Sequence, residues 1–447
     1  MNPENPTLEN TTPPTPTPAE PNTPKPEPKK SNPEPQSEAP KPEVPEPEPQ
    51  PVDKKVAKNP KKPASSKSWI TFLVIGIITF LGGIAAVLYV FLKPAEEIAE
   101  LEFPTIPSKV QEEKTYSKLT GLELSDASLI DAPVYCIQTP NGTDGARPQA
   151  GLNEAGVVFE AIAEAGITRF AAIYQNATST VIGPIRSLRL YYLQWDVPFD
   201  CTIVHAGGAY DALEAVKSYK HQSESYTYMY RGSVSSRRWN NLFTTPASLA
   251  QISSDRGWNS SNIKSFTRNT PAEAEKSRID AQTTAKLEIT TATTENLSSL
   301  TPSVNNITFR FGNMANYNPV YKYNATTNTY DRSYTSGKAH EIYSCPAENL
   351  SKQDPEKVCT LTQLSPAVVI AMRVQEKKAS DNYHEAITTT GTGEAYVFQN
   401  GTAIKGTWSK PSINDQIKFL DDNGNEIVLN PGQTFISAIP QYGAVEY

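Results

Sequence analysis

Signatures of metal binding and nucleophilic catalysis are scarce in this sequence. Its 447 residues include only 4 Cys and 4 His. No pair of them has C-x-x-C or H-E-x-x-H spacing, which argues against structural and catalytic zinc sites; no metal or cofactor is expected. There is no Walker loop and no internal repeat. Positive charge is in deficit too: 41 Lys and Arg against 48 Asp and Glu give a formal net charge of -7. Such a balance is unsuited to wrapping nucleic acid.

The first 68 residues have almost no aromatic or β-branched apolar side chains, while many of the chain's 38 prolines fall there. A segment of that composition buries too little apolar surface to offset its chain entropy. It is expected to be disordered and partly polyproline II, and proline-rich segments could recruit a cytoplasmic partner.

Trp69 to Leu92 reads WITFLVIGIITFLGGIAAVLYVFL, uncharged and long enough to cross a hydrocarbon core of about 30 Å. Trp69, Tyr89 and Phe91 lie near its ends, where amphipathic rings favour the interface. Lys54, Lys55, Lys58, Lys61, Lys62 and Lys67 precede it; Glu96, Glu97, Glu100 and Glu102 follow. The positive-inside rule places the N-terminus in the cytoplasm and everything after residue 92 outside it, in a single-pass cell-membrane topology. The segment has no Cys, so no lipobox can be drawn there.

Residues 93–118 read as a charged, proline-punctuated stalk, residues 119–302 as an α/β or α+β domain with a mixed sheet, and residues 303–447 as a mostly-β domain. Each is long enough for its own core. In the first, Val157–Glu164 and Thr168–Tyr174 suggest strands turning at Ala165-Gly166, with a helix over Asn153–Ala165 as the rival. Ile185–Trp195 suggests a helix with Pro184 in its first turn. Cys201–His205 suggests a strand, followed by Gly207-Gly208 and a helix over Tyr210–Tyr219. Residues 252–301 are Ser/Thr-rich with helical patches. In the second, short apolar runs suggest strands at Ile307–Phe311, Val320–Tyr323, Val368–Arg373, Glu394–Gln399 and Glu426–Leu429, with hairpin signals at Asn400-Gly401 and Asn423-Gly424. Trp408, Tyr396 and Phe398 fit a sheet core better than a sugar platform.

Several motifs resemble a known family. ARPQAGLNEAGVVFEAIAEAGITRFAAIYQ (Ala146–Gln175), GPIRSLR (Gly183–Arg189) and VHAGG (Val204–Gly208) are similar, in order, to those of the YerB-like lipoproteins. So are YKYNATTNTYDRSYTSGKAH (Tyr321–His340) and the run Gly391–Pro440. The resemblance implies a two-domain bacterial envelope protein of unassigned function. The family pattern carries a lipid-modified Cys where this chain has an apolar segment, and a His where this chain has Asn240.

Chemistry in these motifs centres on Arg147, Arg169, Arg186 and Arg189 beside glycine and proline. On a helix, Arg186 and Arg189 share a face, and guanidinium binds phosphate or carboxylate bidentately. With His205 and the amides of Gly207 and Gly208 they suggest a site for an anionic ligand. The bland alternative pairs the arginines with Glu160, Glu164 and Asp196. An enzyme acting on a phosphate-bearing envelope substrate would use His205 or Glu160 as acid/base with the arginines as charge clamps; Glu160 and Glu164 could form an acid–base pair, and Ser187 lacks a nucleophile elbow. A scaffold or partner-binding module is the third reading. Cys345 and Cys359 bracket a short polar insert and suit a disulfide, whereas Cys136 and Cys201 sit in apolar runs and suggest buried free thiols.

Overall fold

The structure, a computed structural model, describes residues 114–237, 239–291, 304–346 and 354–447. The proline-rich tail, the 69–92 segment, most of the stalk and the boundary at 302/303 lie outside those residues. Among the described residues no helix is long and apolar enough to cross a membrane. All of them belong to one compact unit, Ile106–Tyr447.

Its organising element is a 10-stranded mixed sheet. Across it run Lys418–Asp421, Thr402–Lys410, Gly391–Gln399, Val368–Val374 and Thr434–Pro440, then Val157–Glu164, Ile167–Gln175, Val134–Pro140, Thr202–Val204 and His221–Gln222. The first five strands come from the second half of the chain and the last five from the first. They meet where Thr434–Pro440 pairs in parallel with Val157–Glu164, Phe435 opposite Val158 and Ile436 opposite Phe159. A separate core for each half is therefore not what forms. One buried cluster holds Phe159, Tyr192 and Trp195 together with Val368, Ile370 and Ile436.

Val157–Glu164 is a strand, and its alternative as a helix fails for a tertiary reason. Both of its edges are paired and every residue but Glu164 is buried, so the alanines fit a strand covered on two faces. Ala165 and Gly166 both take positive φ, as a tight hairpin turn into Ile167–Gln175 requires. Asn400 and Gly401 do the same between Gly391–Gln399 and Thr402–Lys410. At the other Asn-Gly pair only Gly424 has positive φ, and Glu426–Leu429 forms isolated bridges instead of a strand.

The expected helix over Ile185–Trp195 is shorter, Leu190–Asp196, with Arg189 as an extended N-cap. Upstream, the backbone spends its N–H groups on tertiary partners: Ile185 to Leu242 O, Arg186 to Gln138 O and Leu188 to Gly207 O. Those bonds forbid a helical ladder. The helix after the glycines is Tyr210–Val216, and Pro246–Arg256 and Pro271–Thr291 are helices farther along. Trp408 and Phe398 are buried in the sheet.

Two disulfides close the unit. Cys345 bonds Cys359. Cys136 bonds Cys201, which corrects the expectation of free thiols. Their separation of 65 positions hides what the sheet makes plain: Cys136 pairs with Ile203, bringing Cys201 to a Cα separation of 5.8 Å.

Candidate functional site

Three stretches of the first half converge beyond the ends of the central strands. Residues 141–148 (NGTDGARP) leave the Val134–Pro140 strand as a loop. Gly145, at φ +93, is pressed so closely to residues 236 and 237 that a Cβ would lie 2.4 Å from the Ser236 carbonyl oxygen. Arg237, almost fully buried, fastens that contact by donating to the carbonyls of Gly145 and Pro148 and pairing with Glu356 from the second half. The third stretch is Gly183–Arg189, held extended as described.

Between them lies a polar pocket of about 310 Å³, lined by Asn141, Asp144, Arg169, Arg186, Trp239 and, from the second half, Tyr317, among others. A larger hollow of about 390 Å³, beside Tyr135 and Leu249, has no charged group in its lining. The polar pocket is the one that concentrates chemistry.

Arg186 is its most available cation. Nε donates to Asn240 Oδ1 at 2.9 Å, and its terminal nitrogens have no hydrogen-bond partner among the described residues. Burial, and then the charge of Arg169, hold its pKa below the ordinary arginine value. Asn240 is only 2% exposed; its amide donates in turn to Asp144 Oδ1 at 3.2 Å. Asn240 thus carries Arg186 on one side and Asp144 on the other. Trp239 stands 58% exposed at the rim.

Arg169 and Arg189 are committed elsewhere. They clamp the two oxygens of Glu164 at 2.8 and 2.7 Å, and Arg169 also donates to the Ser187 carbonyl at 2.7 Å. Burial pushes the Glu164 carboxyl up, but the two guanidiniums outweigh it and leave its pKa below the ordinary value. Arg147 lies behind the pocket, donating to Asn141 Oδ1 at 2.8 Å and the Asn316 carbonyl at 2.8 Å, with its guanidinium 3.8 Å from the Tyr334 ring centre.

Glu160 is sealed from solvent. Arg332 Nη2, equally buried, lies 2.8 Å from one oxygen, and Thr168 and Ser437 hydroxyls donate at 3.0 and 3.2 Å. Arg332 also bonds His340, whose second nitrogen meets Gln149 at 2.9 Å. Burial, then Arg332, pushes the His340 pKa well below the ordinary value and keeps its ring neutral. This is an internal polar junction between the halves, out of reach of a ligand.

The sequence candidates therefore divide. Arg169 and Arg186 line the pocket; Arg189 reaches it through Glu164, and Arg147 through Asn141. His205, Gly207 and Gly208 are not among the lining residues. His205 is 1% exposed, its Nδ1 bonds the Gly207 carbonyl at 2.9 Å, and burial lowers its pKa. Gly208 is packed on Leu188 and Leu213. Of the acid–base candidates, Glu164 lines the polar pocket and Glu160 and His205 do not. Sequence reasoning missed Asp144, Trp239 and the carrier role of Asn240. The available signal was the turn-rich NGTDG and the departure at Asn240 itself.

A single sheet shared by two chain halves, with a polar pocket at the ends of its strands, defines an α+β protein with a composite site. Its family is explicit in the sequence. "Protein of unknown function (DUF3048) N-terminal domain" matches residues 119–259, and the C-terminal domain of the same family matches residues 307–436. Together they span more than half of the chain, which belongs to this two-domain, YerB-like family. The chain is 26% identical over 334 residues to the "Putative lipoprotein YerB" of Bacillus subtilis (strain 168), covering 74% of this chain and 88% of that protein. The crystal structure of Bacillus subtilis YerB resembles it with a TM-score of 0.57 at 20% identity, across 75% of this chain and 100% of that one.

Proposed function

We propose that this protein is an envelope protein that binds an anionic ligand, phosphate or carboxylate, through Arg186. The carrying observation is a guanidinium in a polar pocket, oriented by Asn240 at 2.9 Å and with its terminal nitrogens unpaired among the described residues. Charge-assisted hydrogen bonds are each worth about 1.5–3 kcal/mol. Arg186 is half-buried, and a guanidinium whose terminal nitrogens lack acceptors there gains by meeting an anion.

The relative's lipoprotein name, the uncharged segment at 69–92 and the cysteines support this location. All 4 are paired, as suits a compartment outside the reducing cytoplasm. The apolar segment anchors the chain, with residues 1–68 inside. Protease added to intact cells should leave that tail uncut.

Binding is tested with the full chain in detergent. Phosphate at fixed ionic strength should raise the thermal midpoint of the wild type, since ligand bound to the native state stabilises it by mass action. In Arg186→Gln the rise should vanish. An equal rise in both proteins would overturn the assignment.

A further inference from the structure

We infer that the ligand of the Arg186 pocket is an acidic sugar unit: a pyranose ring bearing one phosphate or carboxylate. This rests on the reading of the pocket as an anion site and names its substrate class.

A receptor for a bare anion surrounds it with donors. This pocket instead sets a carboxylate beside its free guanidinium. Asp144 Oδ1 takes the Asn240 amide at 3.2 Å, while Oδ2 has no partner among the described residues. A Cβ on Gly142 would lie 2.4 Å from Asp144 Oδ1, so glycine leaves room for the carboxylate to fold back towards Asn240. A free phosphate would gain at Arg186 and lose by repulsion at Asp144. A ligand that meets both groups presents an anion to one and hydroxyl donors to the other. Carboxylate oxygens accept such donors in charge-assisted bonds.

The third element is Trp239, 58% exposed at the rim of a polar pocket. An indole left in solvent beside charged groups offers an apolar face to a ligand that is itself half apolar. The C–H face of a pyranose ring matches it; inorganic anions have no such face. Size agrees. About 310 Å³ lies at the low end of small-molecule pockets, which start at roughly 300 Å³, so one ring with its acidic group is accommodated. Thr143 and Asp144, both exposed on the same loop, keep the mouth polar.

The test measures competition on the full chain among glucose 6-phosphate, galacturonate, glucose, phosphoethanolamine and inorganic phosphate. Either sugar acid should bind at least about tenfold more tightly than inorganic phosphate, and glucose should bind weakly. In Trp239→Ala, and separately in Asp144→Asn, the advantage of the sugar acid over inorganic phosphate should disappear. If inorganic phosphate binds as well as the sugar acids, or if both variants keep the preference, the sugar inference is overturned while the anion site stands. Tighter binding of phosphoethanolamine would reassign Asp144 to an ammonium partner and overturn it as well. If none of the anions binds, both readings fall.

Discussion

Burying a charge is tolerable when its partners are buried with it, and Glu160 and Arg332 show the consequence. Both side chains are 0% exposed, and their ion pair crosses the junction of the two halves. Removing one partner strands the other charge. Glu160→Gln should therefore destabilise the protein by about 3–5 kcal/mol, read by urea denaturation; a cost under about 1 kcal/mol would show that the pair is not sealed. Asp196 is the opposite case. One oxygen accepts the Gln138 amide at 2.9 Å and the other has no partner among the described residues. Burial, opposed only by that amide, raises its pKa well above the ordinary 3.8. A raised folded-state pKa contributes stability below the unfolded pKa that is lost as pH rises through the folded one. Asp196→Asn should then match the wild type below about pH 4 and exceed it in stability at neutral pH, each tenfold change in acidity being worth about 1.4 kcal/mol. A stability gap independent of pH would contradict this. At this scale the sequence was a partial guide. Arg169 and Arg186 stood out beside glycine and proline, but which arginine is free depends on Glu164, whose two oxygens engage Arg169 and Arg189 at once. Linear spacing does not reveal that choice.

Among elements, several strands were legible and the short connections were not. Val368–Val374 reads as a nearly continuous apolar run, as strands covered on both faces do, while Val157–Glu164, broken by Glu160, keeps a helix as its rival that only its pairing excludes. The stretch 184–189 looked helical because local propensity ignores tertiary hydrogen bonds; the carbonyls of Gln138, Leu242 and Gly207 take its N–H groups. As a result Arg186 and Arg189 do not share a helix face, and only Arg186 lines the pocket. The Cys136–Cys201 bond belongs to the same lesson, since it joins neighbours in the sheet that lie 65 residues apart. Closing so long a loop should stabilise by about 4 kcal/mol on the chain-entropy model. Replacing both cysteines with alanine should cost about that amount in urea denaturation. Mass mapping that finds either residue as a free thiol would remove the bond from the account.

For the whole molecule, the two family domains are one folding unit in the sense that matters energetically. Thr434–Pro440 lies between Val368–Val374 and Val157–Glu164, so one strand from the chain's end completes the sheet for both halves. Far-UV dichroism and tryptophan fluorescence, reporting on Trp195 in one half and Trp408 in the other, should follow a single unfolding transition. Two separated transitions would restore independent domains. The shared sheet also explains why the site is composite: Tyr317 enters the pocket from the second half, and Glu356 pairs with Arg237, whose carbonyl accepts the Asn240 backbone N–H. The mixed α/β character of the first part and the mostly-β character of the second were legible in the sequence, but parallel pairing between distant strands leaves no local mark.

The central claim is that Arg186 is the anion-binding group, and its reactivity reports on it directly. Phenylglyoxal attacks unencumbered guanidiniums, and peptide mass mapping of the full chain reads each arginine separately. Arg186 should be modified readily and be protected progressively by phosphate or glucose 6-phosphate. Arg310, exposed and paired with Glu446, should react at a rate that neither anion changes. A modification rate at Arg186 that is the same with and without these anions would contradict the account.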